Sequence, residues 1–228
     1  MVDTHTLNNE TEFAIDKQFK INKYFLFVSF CAYYAFAHYF LQHVINFNTL
    51  LFNDLSEQIS KERIDELIDQ QHKYEWVGYL FITLYFFLRL TLTTLAIYTG
   101  CFVINSKVKF SRLFSCVLMA EFVFVLQSVI KLSWLWLNKS TLTVQYVKTF
   151  SPASLINIFD YHSLQPWYLY PLQTINLFEI LYWFVLAYFV SKEIKRQYWK
   201  SIDFILSSYG VALLMWVVLI SFLTLNLS

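Results

Sequence analysis

Arg89 and Glu121 are charged side chains set inside long apolar runs, Trp76 to about Ile104 and Phe110 to Leu137. Each lies near the middle of its run, and at 1.5 Å per helical residue the two reach nearly the same depth. An isolated charge at that depth in a membrane costs at least a few kcal/mol. The spacing therefore predicts that Arg89 and Glu121 face each other. Such a pair either fixes the register of two helices or takes part in moving an ion or a proton.

A second polar group lies farther along the same runs: His38 and His43 in the run from Tyr24, Gln127 and Lys131 beyond Glu121, and Glu179 in a run from about Thr174. Glu121, Ser128 and Lys131 share an arc of about 80° on a helical wheel at 100° per residue. That stripe predicts an outward-opening polar cavity between the first, third and fourth runs, suited to a headgroup or peptide segment. The plainer alternative is that Lys131 snorkels to the interface and the histidines are satisfied core residues.

Metal-capable side chains occur outside the runs. His72 and Glu75 are three apart on an expected helix, and Asp160 and His162 share another connecting segment. They are weak zinc ligand candidates, because a structural or catalytic zinc takes three or four convergent donors. No HExxH, GxSxG, phosphate-loop or dinucleotide fingerprint is present, and three glycines are too few for phosphate-cradling loops. The expectation is a chain without enzymatic activity, metal or cofactor. Cys31, Cys101 and Cys116 fall inside apolar runs and read as small core residues rather than disulfide partners.

The elements that must position these groups follow from composition. Of 228 residues, 57% are hydrophobic, 21% aromatic and 14% charged, with 24 Phe, 16 Tyr and 7 Trp. Soluble chains carry about 25% charged residues, and a soluble domain of this size could not hide so many rings. The fold class is all-α and membrane-embedded. Five stretches approach the roughly 20 residues a crossing needs: about 24–45, 76–104, 110–137, 174–190 and 202–225. Pro152, Pro166 and Pro171 all fall between the third and fourth, where the backbone can bend without a penalty to a spanning helix.

Orientation is read from Lys and Arg. Lys17, Lys20 and Lys23, then Lys107, Lys109 and Arg112, then Lys192, Lys195, Arg196 and Lys200 fall on one side. The other side carries Lys61, Arg63, Lys73, Lys139 and Lys148 among more numerous acids. The pattern predicts a cytoplasmic N-terminus and an external C-terminus. On the outer side, apolar residues at Leu55, Ile59, Ile64, Leu67 and Ile68 predict an amphipathic helix over 54–75, capped by Asp54 or Ser56 and running into the second span. It is either a solvated extension of that span or a docking surface. In the outer loop at 138–173, Ser151-Pro152 reads as an N-cap and first turn of a short interfacial helix. The aromatic stretch Pro166 to Pro171 suits the headgroup level.

From residue 110 onward, a basic link leads to a long span. Asn176-Leu177-Phe178-Glu179-Ile180-Leu181-Tyr182-Trp183 follows, then the basic link Ser191 to Arg196 and a last span. This layout resembles the YIP family (Ypt/Rab-interacting five-span membrane proteins) and its bacterial relatives. The resemblance implies a non-enzymatic membrane component acting by binding other membrane proteins. Together these readings predict an accessory or scaffold subunit of a membrane assembly for transport or secretion, with membrane proteins and lipids as partners and no nucleic acid. The first rival is a small transporter or lipid- or peptide-binding protein using the polar cavity. An intramembrane enzyme is the second. Abundant Phe, Tyr, Asn, Lys and Ile suggest an AT-rich genome and a bacterial inner membrane.

Overall fold

A computed structural model describes residues 22–55, 60–160 and 164–227. Among these residues no strand forms; one isolated bridge joins Ser154 to Asn176. In order, the helices are α1 (Lys23–Tyr39), α2 (Phe47–Leu55), α3 (Lys61–Val103), α4 (Phe110–Ala120), α5 (Phe122–Leu137), α6 (Val144–Thr149), α7 (Pro166–Thr174), α8 (Leu177–Glu193), α9 (Tyr198–Ile205) and α10 (Val211–Leu227). A π-turn at Phe40–Val44 extends α1, and a second at Leu206–Gly210 joins α9 to α10. Helices α4 and α5 form one rod that turns at Glu121.

Among the described residues, four helical rods are long and apolar enough to cross a membrane: Lys23–Val44, Lys73–Val103, Phe110–Leu137 and Tyr198–Leu227. Helix α8, at the expected fourth span, has 17 residues, about 25 Å at 1.5 Å per residue. Helices suit such sequences because they satisfy their own backbone groups where water is absent.

Local chemistry explains the ends. The Asn22 side chain accepts from the Tyr24 N–H (3.0 Å), and Asn176 does the same for Glu179 (2.8 Å), each meeting a donor the first turn leaves free. With three glycines available, two helices end on other residues in the left-handed region. Asn105 (φ 55°) ends α3 and Lys195 (φ 51°) ends α8. In both, the next N–H reaches back to close the last turn, Ser106 to Cys101 O (2.9 Å) and Arg196 to Ser191 O (3.0 Å).

Lys23 Nζ donates to Ser111 Oγ (2.5 Å), and Arg112 lies 3.5 Å from Glu193. The start of α1, the start of α4 and the end of α8 therefore share one end of the bundle, here the basic end. The main core fills that half: Leu113, Val117 and Ala120 of α4 pack with Leu186, Ala187 and Val190 of α8 and with Ile205. Cys101 and Cys116 are buried there as free thiols. At the far end a smaller cluster, Ile45, Leu135, Leu142 and Val147, holds α2 and α6 against the top of α5.

Several expected boundaries differ. The helix expected over 54–75 instead begins at Lys61 and continues unbroken to Val103, while Asp54 belongs to α2. Ser56 lies outside the described residues, as do Lys17 and Lys20. Ser151-Pro152 starts no α-helix: Ala153 takes φ 52°, and the chain turns into a 3-10 helix at Leu155–Ile158. The proline that opens a helix is Pro166, in the first turn of α7, and Pro171 lies inside that helix. Pro171 costs α7 one internal hydrogen bond; Gln173 compensates by tying α7 to the end of α6, through Lys148 O (3.1 Å) and Thr149 O (2.8 Å).

Gly100 sets the remaining geometry. A Cβ there would stand 2.8 Å from Ser208 Cβ and 2.9 Å from Phe204 Cε2, so glycine lets α3 touch the last rod near the basic end. Beyond that crossing α10 leans on α7, with Trp216 Nε1 donating to Tyr170 Oη (2.9 Å). No residue of α10 is buried. Helices α3 and α10 thus part above Gly100 and leave a cleft.

Candidate binding cavity

The cleft deepens into a cavity of about 900 Å³, within the range of small-molecule sites. Its open walls are apolar: Leu92 and Leu95 on α3, and Val211 and Met215 on α10. Its floor carries Arg89, Glu121 and Glu179, with Gln127, serines and tyrosines around them. At 1.5 Å per residue, Glu121 lies about 16 Å and Arg89 and Glu179 about 21 Å from the basic ends of their helices, so all three stand near mid-height.

Glu121 is 1% exposed. Arg89 Nη2 donates to its Oε1, forming an ion pair, and Tyr34 Oη donates to the same oxygen at 2.5 Å. The Arg89 side chain is 32% exposed and its guanidinium lies 4.8 Å over the Phe124 ring. This carboxylate is neutralised within the protein, as a charge away from water must be.

Glu179, 8% exposed, has a different environment. Tyr209 Oη (2.8 Å) and Trp183 Nε1 (2.9 Å) both donate to its Oε1. Among the described residues no group donates to Oε2, and no Lys, Arg or His forms an ion pair with Glu179. The π-turn at Leu206–Gly210 carries Tyr209 and two of the serines that line the cavity, Ser207 and Ser208; such turns recur at functional sites. Rings bridge the two acids: Phe124 on Tyr182 at 4.6 Å, and Tyr182 against Tyr209 at 5.5 Å.

Of the five residues expected to share a polar cavity, Gln127 and Glu179 line this one; His38, His43 and Lys131 do not. The cavity lies between α3, the α4–α5 rod, α8 and the last rod rather than between the first, third and fourth apolar runs. At its top Gln127 Nε2 donates to Ser151 Oγ (3.3 Å), so the 151 turn seats over Gln127 and Lys131, one helical turn farther, falls beyond the lid. His38 packs edge-on against Tyr79 at 5.2 Å, in the space beside Gly78. His43 Nε2 contacts Glu75 Oε1 at 2.9 Å on the partly exposed far side.

Glu75, named above as a weak metal-ligand candidate, makes this contact. Among the described residues no group of three or more His, Cys, Asp or Glu converges. The His72 side chain and all of His162 lie outside the described residues, and Asp160 stands at the edge of that gap. Tyr34, Trp183, Tyr209 and Trp216 were not distinguishable beforehand, because a chain so rich in rings gives no sign of which hydroxyl or indole N–H is used.

No protein-family model, curated protein or solved structure matches the chain.

Proposed function

We propose that the protein is an integral membrane protein that binds an amphiphilic molecule laterally, between α3 and α10. The observation that carries this reading is the shape and lining of the cavity: exposed aliphatic walls on the bilayer side lead to a floor with one paired and one cation-free carboxylate. An apolar chain fits the walls and a polar head fits the floor. The site reads as one for binding: most of its polar groups are held in contacts within the protein, and among the described residues no serine or threonine of its lining donates to a carboxylate.

The membrane arrangement in this reading has five crossings, with the N-terminus cytoplasmic and the C-terminus outside. Parity supports it. Both α4 and α9 start at the basic end, so a chain that leaves that end through α4 and α5 must return through α8. The collected Lys and Arg at that end favour the cytoplasmic side, in a bacterial inner membrane on the compositional grounds given above.

Filling the cavity tests the reading. Ala96→Trp and Ala212→Trp, at lining positions on opposite walls, should each lower the amount of co-purifying lipid or added alkyl maltoside by about tenfold. Native mass spectrometry reads the bound amphiphile, and helix content verifies folding. Unchanged occupancy in both variants refutes lateral binding.

A second reading, an accessory subunit of a larger assembly as the YIP resemblance implies, is favoured by α10. A helix with no residue buried in its own chain offers its whole length to lipid or to another membrane protein. Stoichiometric recovery of a partner in mild detergent, lost on polar substitution of Leu214 and Val218, would support it.

A further inference from the structure

We infer that the molecule taken by this cavity is cationic: an ammonium group on a hydrocarbon chain, with its charge seated at Glu179. This rests on the lateral-binding reading above and adds the chemistry of the head. Three ionisable acid or base side chains of formal charge line the floor, Arg89, Glu121 and Glu179, so the site carries one negative charge more than it neutralises. The surplus falls on Glu179, because Arg89 makes its direct ion pair with Glu121 and reaches Glu179 only through space.

The Glu179 carboxylate is oriented rather than loose. The Tyr209 hydroxyl and the Trp183 indole N–H hold Oε1, and the helix start fixes the backbone through Asn176. Oε2 is left without a donor among the described residues. A cation at Oε2 would complete the electrostatics that Arg89 completes for Glu121. The surrounding rings suit an organic cation better than a metal ion. Tyr182, Tyr209, Tyr170 and Trp216 all line the cavity, and aromatic faces attract alkylammonium groups. A metal ion would want several oxygen or imidazole donors, and Glu179 supplies only one free oxygen. An anionic head would meet Oε2 directly with no unpaired cation to hold it.

Two sources carry this chemistry, the ethanolamine head of a bilayer phospholipid and a free amphiphilic amine. The test uses the full chain in neutral maltoside detergent. Binding of dodecyltrimethylammonium and dodecyl sulfate, matched in chain length, is followed by tryptophan fluorescence and thermal shift. The expected result is a preference of at least about tenfold for the cation in the unaltered protein, which also binds dodecyl maltoside, and loss of that preference in Glu179→Gln. The comparison of cationic and anionic heads in the unaltered protein stands even if the variant folds poorly. Equal affinity for the two ions, or a preference for the sulfate, overturns the inference while leaving lateral binding intact. Loss of all amphiphile binding, dodecyl maltoside included, overturns both. Bilayer nanodiscs of phosphatidylethanolamine and of phosphatidylglycerol then separate the sources. Retained phosphatidylethanolamine displaced by dodecyltrimethylammonium assigns a lipid head; a cavity empty from both bilayers yet filled by the amine assigns a free amine. Phosphatidylglycerol retained in preference counts against a cationic ligand altogether.

Discussion

Glu121 and Glu179 are carboxylates on adjoining rods, both buried and both on the floor of one cavity, yet their surroundings differ in kind. Glu121 receives a guanidinium and a tyrosine hydroxyl. Glu179 receives only neutral donors, and both of them on one oxygen. A charge that exists to hold helices together is matched inside the protein. A charge oriented but left unmatched, facing a cleft toward lipid, is matched by something that arrives. The contrast separates a structural pair from a recognition group where the residue type alone cannot.

Substitutions can break that contrast, and the largest effect belongs to the pair. Arg89→Met leaves Glu121 buried with only a neutral donor and should cost about 3–5 kcal/mol, whereas Arg89→Met with Glu121→Leu should recover most of the loss. Thermal unfolding in neutral detergent measures both; a double variant as unstable as the single one means the pair does not act as a unit. Next comes the crossing that opens the cleft. Gly100→Ala would press a Cβ into Ser208 and Phe204 and should cost about 1–3 kcal/mol, with a matching change in amphiphile binding as α3 and α10 shift. Glu179→Gln keeps an oxygen for Tyr209 and Trp183 and should cost only about 1 kcal/mol. A loss as large as that of Arg89→Met would place Glu179 with the structural charges. Smallest is His43→Ala. Its contact with Glu75 is partly exposed (43% and 33%), and solvent screening should hold the change below about 1 kcal/mol, without effect on the cavity.

Much of this architecture was legible in the residues. Apolar runs gave the four long rods nearly to the residue at Phe110–Leu137, because hydrocarbon thickness imposes a length that composition reveals. Arg89 and Glu121 stood out as charges at matched depth, and the structure places them in contact. Depth, however, carries no information about what covers a helix. Lys131 shares an arc with Glu121 but lies past the Ser151 lid, and His38 and His43 are turned toward α3 on the side away from the cavity. The chain's Pro and Ser signals misplaced the short helices near 144–174, since Thr143 and Pro166 open them while Ser151-Pro152 makes a turn. The cleft itself had no local signal. It arises because one glycine brings two rods together and Trp216 draws the last one aside toward Tyr170.

The central claim, that a hydrocarbon chain lies between α3 and α10 with its head at the Glu179 end of the floor, is tested most directly by photolabelling. An alkylammonium with a diazirine along its chain, irradiated on the protein in nanodiscs and mapped by peptide mass spectrometry, should label the wall residues Leu92, Leu95, Val211 and Met215. Ala212→Trp should remove that labelling. Labelling spread evenly over equally exposed faces, such as Phe25, Val28 and Phe36 on α1, and unchanged in Ala212→Trp, would contradict the account.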